Sequence, residues 1–199
     1  MSEKGFKNYP LIGLVGQKFT GKDTVGSYFE KEYGYYPMSF AEPLKEVLQS
    51  VFLLTDKQVY GNEKEIIDER WKVTPRELHQ IVGSGLFRET LPQYIPHLED
   101  EIWIRNFALR YENKKKEHSR IVITDVRHYN EAKFIKDNKG ILVRIYRNEK
   151  DLYESEDEHS SEQQCLGIKA DINIHNSHNE TTIYTYMINQ INEFMKLNE

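Results

Sequence analysis

The chain has 199 residues, a formal net charge of −5 and one cysteine, Cys165. That length suits a single domain over 1–199 with a substantial core, and the acidic balance argues against a general nucleic-acid coat, which needs a basic face. No apolar run approaches the roughly 20 residues of a membrane span, and a lone cysteine rules out an intrachain disulfide and suits a reducing compartment, the cytoplasm.

Residues 1–10 lack an apolar signal core and read as a short polar lead-in. Apolar bursts then alternate with amphipathic stretches, which predicts β/α alternation and a parallel sheet. Leu11–Val15 predicts the first strand. Residues 23–33 predict a helix with Val25, Tyr28 and Phe29 on one side and Gly34 as its stop. Residues 36–40 predict a second strand, and 43–54 a helix with Leu44, Val47, Leu48 and Val51 inward. The stretch 55–71 is polar and carries no periodic signal. Thr74-Pro75-Arg76-Glu77 is a helix start, with Thr74 as cap, Pro75 in the first turn and Glu77 closing a capping box. Residues 101–111 are amphipathic, with Ile102, Phe107 and Leu109 among the apolar positions, and 113–120 read as a charged surface loop. A buried strand is expected at 121–125, a helix at 131–138, and a strand at Ile141–Tyr146 after Gly140. Residues 148–164 are acidic and aperiodic and read as a mobile loop. A last strand at 170–175 and a last helix at 181–197 complete the pattern.

The strongest chemical signal follows the first strand: Gly16-Gln17-Lys18-Phe19-Thr20-Gly21-Lys22-Asp23-Thr24. A strand, a glycine-bounded loop and a helix make a cradle whose N–H groups turn toward an anion, aided by the positive end of the helix. Lys22 supplies a mobile charge for outer phosphates. Asp23 stands where the usual pattern has Ser or Thr on Mg²⁺; a carboxylate is also a hard ligand, directly or through water.

A parallel sheet gathers ligands at the carboxyl ends of its strands. That edge should carry the phosphate loop, Asp125-Val126-Arg127, Tyr146-Arg147 and His175-Asn176. Asp125 reads as a holder of magnesium or its water, or as a helix cap. Arg127 reads as a bidentate phosphate ligand, or as the partner of Glu131. Arg147 reads as a lid residue laid across phosphates, or as a surface arginine. Trp103 reads as core or as a base-stacking ring. No His/Cys spacing resembles a zinc site, so the histidines, His159, His175 and His178 among them, read as non-metal.

Several phrases together point to one family. They are residues 16–24 above, Ser39-Phe40-Ala41-Glu42-Pro43-Leu44-Lys45, and Thr74-Pro75-Arg76-Glu77-Leu78-His79-Gln80 followed by Gly83, Arg88 and Trp103. Asp125-Val126-Arg127 with Asn130-Glu131-Ala132, His159-Ser160-Ser161-Glu162 and Ile174-His175-Asn176 complete the set. In order and spacing these resemble the deoxynucleoside monophosphate kinases of bacteriophages and large DNA viruses, over residues 11 to about 180.

The resemblance implies an α/β, P-loop nucleoside monophosphate kinase fold: a parallel five-stranded sheet flanked by helices, with a monophosphate-binding part near 35–112 and a lid near 147–164. It implies transfer of the γ-phosphoryl group of ATP to a deoxynucleoside monophosphate with Mg²⁺, in the host cytoplasm if the source is viral. By resemblance, Gly16, Lys18, Gly21, Lys22, Asp23 and Thr24 would hold ATP and, through Asp23, the metal. Arg147 would be the lid arginine and Asn176 would lie beside adenine. Lys45, Arg70, Arg76, Gln80, Arg88, Trp103, Asp125, Arg127 and Glu131 would line the acceptor site, with Lys22, Arg127 and Arg147 catalytic. Gly83-Ser84-Gly85 replaces the Gly-Thr-Glu often seen there, which bears on base preference more than on the reaction. Expected partners are the two small substrates, with no nucleic-acid polymer and no membrane; a homodimer stays open. Two alternatives stand beside this reading: a phosphomevalonate kinase-like phosphotransferase and a non-catalytic P-loop nucleotide-binding module.

Overall fold

The structure, a computed structural model, describes residues 9–154, 160–176, 185–186, 189–190 and 193. The lead-in expected over 1–8, the centre of the polar loop with His159, His178, and most of the helix expected over 181–197 lie outside the described residues. In chain order the elements are β1 (Leu11–Val15), α1 (Lys22–Tyr33), β2 (Tyr36–Met38), α2 (Glu42–Phe52), α3 (Asp56–Val59), α4 (Pro75–Gln80), α5 (Leu91–Tyr94) and α6 (Ile102–Glu117). Then come β3 (Ile121–Val126), α7 (Tyr129–Asp137), β4 (Ile141–Tyr146), α8 (Ser160–Gly167) and β5 (Ile172–His175). Contacts divide the chain into two units, one of residues 1–39 and 112–199, the other Phe40–Tyr111.

The first unit holds a five-stranded, all-parallel sheet in the order β2-β3-β1-β4-β5. A parallel sheet covered on both faces needs strands apolar on both, and β1 is buried at every residue. Alternate β1 side chains serve opposite faces. On one face α1 packs so closely that a Cβ on Gly26 would meet Leu14 and Thr124. On the other, a Cβ on Gly13 would come 3.0 Å from Ile135 of α7. The α1 face gathers Ile12, Leu14, Val122, Ile141, Val143, Ile145, Ile172 and Ile174 with Val25, Phe29 and Tyr35. Each such side chain contributes on the order of 1.5–3 kcal/mol when fully buried. The β1–β3 ladder steps from Gly13↔Ile123 to Val15↔Val126, so β3 carries one extra residue beside Asp125.

The second unit packs Leu44 and Leu48 of α2 against Leu54, Val59, Leu78, Val82 and Trp103. Thr74 and Glu77 form the expected capping box at α4. The polar stretch after α2 holds α3, with its own capping box of Thr55 and Gln58, and a bridge from Asp68 to Val73. After α4 the chain continues as a ten-residue π-helix, Ile81–Thr90, which the sequence pattern did not suggest. Such turns are rare and usually short. Here Gly83 lies against Leu44, where a Cβ would come within 2.5 Å of its side chain.

Three other expectations are corrected. Residues 113–117 are helix, the end of α6, because Lys115–Glu112 and Lys114–Glu117 pairs one turn apart support a stretch with no apolar face. The polar loop over 148–164 contains a short helical turn, Glu149–Leu152, and most of α8, whose Glu162 and Cys165 are buried. Val51 of α2, expected inward, faces solvent at 62% exposure. Among the described residues no helix is long and apolar enough to cross a membrane.

Candidate active site

The loop between β1 and α1 is held in the shape a phosphate cradle requires. Gly16 has φ 153°, and a Cβ there would strike the Ile145 carbonyl. Gly21 has φ 99°, and a Cβ there would come 2.5 Å from the Asn176 amide. That amide is the loop's clamp: Asn176 Nδ2 donates to the Thr20 carbonyl at 2.9 Å, and the Asn176 backbone N–H donates to Tyr146 O at 2.7 Å. Asn176 thus ties the end of β5 to the phosphate loop. Phe19, at φ 64° and 77% exposed, stands out from the loop in a conformation that strains a side chain.

Lys22 opens α1 and is 7% exposed, with Nζ donating to the Gln17 carbonyl at 2.5 Å. Burial first, and then the Arg127 cation, push it down to about 8, against the opposing pull of Cys165, Glu162 and Asp23. The Gln17 side chain donates to the Asp151 and Glu154 carbonyls, so the cradle is tied to the chain that leaves β4. Lys18, Asp23 and Thr24 are exposed.

The other strand ends stand on the same edge. Asp125 Oδ2 accepts from Ser39 Oγ at 2.6 Å. Glu131 is buried and caps α7, accepting from the backbone N–H groups of Arg127 at 2.7 Å and His128 at 3.0 Å. The Arg127 side chain pairs not with Glu131 but with Glu162 of α8. Arg147 leaves β4 with its N–H bound by Asp151 Oδ2 at 2.8 Å and its carbonyl accepting from His175 Nε2 at 2.7 Å. Its Nε is buried with no partner among the described residues.

The second unit carries a small pocket of about 90 Å³ lined by the cations Lys45, Lys64 and Arg76, by His79 and Gln58, and by Leu48, Leu54, Val59 and Pro75. Lys45 lies 4.7 Å from the Tyr60 ring centre and 3.6 Å from Glu42. Arg76 pairs with Glu65. Lys45 and Arg76 are thus brought together as expected, while Arg70, Arg88 and Trp103 are not. Arg70 is spent on Asp68 and on the Leu53 carbonyl that ends α2. Arg88 donates to Asp100 O at 3.3 Å. Trp103 is 6% exposed, its Nε1 donates to Gly83 O in the π-helix at 3.0 Å, and its ring meets Phe87 edge-on, the burial expected of its core alternative. Gln80 is half-buried, and its amide has no hydrogen-bond partner among the described residues. Residue-by-residue reading missed Lys64, His79, Gln17 and Glu162. His79 lies three residues after Arg76 on one helix, a spacing that put both on one face.

The residues fit a hard cation of the kind that draws one or two carboxylates from the protein and its other ligands from phosphate and water. Asp23 is exposed in the first turn of α1 and Asp125 lies at the end of β3, while among the described residues no three His, Cys, Asp or Glu groups gather into a cage.

Residues 55–186 match the profile described as deoxynucleotide monophosphate kinase. A provisionally named deoxynucleotide monophosphate kinase of Acanthamoeba polyphaga mimivirus is 39% identical, over 94% of this chain and 99% of its own length. Among solved structures, shikimate kinase from Aquifex aeolicus is 18% identical with a TM-score of 0.45, covering 94% of this chain and 97% of that one. Dephospho-CoA kinase from Campylobacter jejuni is 13% identical with a TM-score of 0.47, at the same coverage.

Proposed function

The chain belongs to the deoxynucleotide monophosphate kinase family, and from that premise we propose that it moves the γ-phosphoryl group of ATP onto a deoxynucleoside monophosphate, giving ADP and a deoxynucleoside diphosphate. The observation that carries this reading is the clamped glycine loop with Lys22 at the head of α1 and Arg127 and Arg147 at the neighbouring strand ends. Such transfer needs little covalent help from protein groups; it needs position and charge.

In this reading the loop N–H groups and Lys22 hold the outer phosphates of ATP. Lys22 leaves the Gln17 carbonyl for a phosphate oxygen, exchanging a neutral acceptor for a charged one. Asp23 and Asp125 would hold Mg²⁺ or its waters, and that ion would neutralise charge between the phosphates. Lys45 and Arg76 take the acceptor's monophosphate, with Lys64 and His79 beside them. The acceptor oxygen attacks the γ-phosphorus, ADP leaves, and Arg127 and Arg147 spread the charge on the moving group. An acidic chain with local basic pockets suits small anionic substrates.

The test is a coupled assay with ATP, Mg²⁺ and a panel of deoxy- and ribonucleoside monophosphates, with mevalonate 5-phosphate alongside. Deoxynucleoside diphosphate should form with at least one base. Arg76→Ala should raise KM for the monophosphate far more than KM for ATP, since truncating a charged contact costs on the order of 2–4 kcal/mol. ATP consumption with no diphosphate product from any member of the panel would overturn the reading.

A further inference from the structure

Among the described residues, the Arg127 side chain makes a single hydrogen bond, which is also its one ion pair: Nη1 donates to Glu162 Oε1. The Nε and Nη2 groups of its fork have no partner there. Glu162 itself is 6% exposed, and its Oε2 is buried without a hydrogen-bond partner. A buried carboxylate left half-satisfied is costly unless it serves its one partner.

The helix that carries Glu162 is pinned from two sides. Arg144, buried on β4, donates to the carbonyls of Cys165, Leu166 and Ile168 at and just beyond the end of α8. Gln164 Oε1 lies 3.1 Å from His128 Nδ1 and 3.4 Å from the Tyr129 N–H, the two residues that follow Arg127. Gly167 closes the packing, since a Cβ there would overlap the Tyr129 ring. A structural arginine in the same protein looks different: Arg70 spends its whole fork on Asp68 and Leu53 O.

We infer that Glu162 is a positioning residue: it holds Arg127 by one nitrogen and presents the remaining edge of the guanidinium for a bidentate contact with phosphoryl oxygens. The inference rests on the phosphoryl-transfer reading above. A carboxylate on one side of a planar fork and a phosphate on the other is a geometry that arginine supports and lysine does not. The ion pair also offsets the repulsion that a bare carboxylate would exert on the incoming phosphate.

Turnover of ATP with the best deoxynucleoside monophosphate tests this. Glu162→Gln keeps the shape and loses the charge, and should lower kcat about tenfold; Glu162→Ala should lower it about 10²-fold, with KM for ATP changed by less than about threefold. Because Glu162 acts through Arg127, adding Glu162→Ala to Arg127→Ala should cost less than about a further twofold. If Glu162→Ala fails to fold in a melting experiment, Glu162→Gln alone and on Arg127→Ala carries the same comparison. Wild-type kcat in the variants, a rise in KM for ATP in place of a fall in kcat, or a fully multiplicative loss in the double variant overturns the inference alone. A wild-type chain that makes no deoxynucleoside diphosphate overturns the reaction, and the inference with it.

Discussion

Lys22→Met should make the ligand-free protein more stable while removing its turnover. The ammonium is 7% exposed, and the strongest charge acting on it is another cation, Arg127. Its displacement from an ordinary 10.5 to about 8 corresponds to about 3 kcal/mol held against the charged form in the fold. At pH 7, below both values, the residue is charged when folded and when unfolded, so that cost is felt in full. Methionine fills a similar volume without the charge. It gives up the bond from Nζ to Gln17 O, worth about 1 kcal/mol. The net gain is about 2 kcal/mol, or a Tm higher by about 4–8 °C in a chain of this size. Turnover should fall by roughly 10²–10³, as for other charge-stabilising donors. Calorimetry without nucleotide, beside the coupled assay, reads both arms. With ATP at about 100 times Kd, wild type should gain about 2.7 kcal/mol and the variant much less. A variant that melts well below wild type, or one that turns over near the wild-type rate, would refute the argument that Lys22 is a strained cation kept for its phosphate.

Asp23→Ala should raise the magnesium concentration needed for half activity, and Asp23→Ser should recover much of the loss; an unchanged magnesium curve in both would leave Asp23 as a surface acid. Asp68 is held well below the usual carboxylate range, chiefly by Arg70 and also by Gln58, so its contribution is whole above the unfolded value of about 4 and drains as pH falls below it. Asp68→Asn should therefore flatten the acid limb of a Tm-against-pH curve, and parallel limbs in variant and wild type would refute that assignment. Gln17→Ala should quicken hydrogen exchange through 150–154 by releasing the Asp151 and Glu154 carbonyls, and unaltered exchange would show that the tie has no effect.

The strands and the loop were legible because their physics is local. Ile141–Tyr146 is an apolar run set off by Gly140, long enough for a strand and too short for a helix. Gly16 and Gly21 stand where the backbone needs a positive φ. The capping box at Thr74 was read from residues three apart. What was not legible lacked periodicity or depended on distant partners. Residues 113–117 continue a helix through ion pairs, with no apolar stripe to mark it. In α8 the buried residues Glu162 and Cys165 sit in a polar octapeptide whose apolar content is one leucine beside that cysteine. The π-helix shifts hydrogen-bond register without changing composition, so a periodicity of 3.6 cannot announce it.

Four of the expected site residues share one property. Trp103, Glu131, Asn176 and Arg70 are of the same chemical types as ligand-binding residues, and sequence alone does not say where their hydrogen bonds go. The structure separates them by what each has left to give. Trp103 has one N–H and Gly83 takes it. Asn176 gives an amide hydrogen to Thr20 O across the sheet edge. Arg70 has closed its fork on Asp68 and on the end of α2. Arg127 has given up one donor, and the Nε of Arg147 is buried with no partner among the described residues. A buried donor without an acceptor costs about 1–3 kcal/mol, so it persists in a folded chain at a price that only a ligand or solvent can return. The buried Nε of Arg147 carries that cost, and with the remaining donors of the Arg127 fork it supports the proposal that the carboxyl edge of the sheet takes an anion with several oxygens.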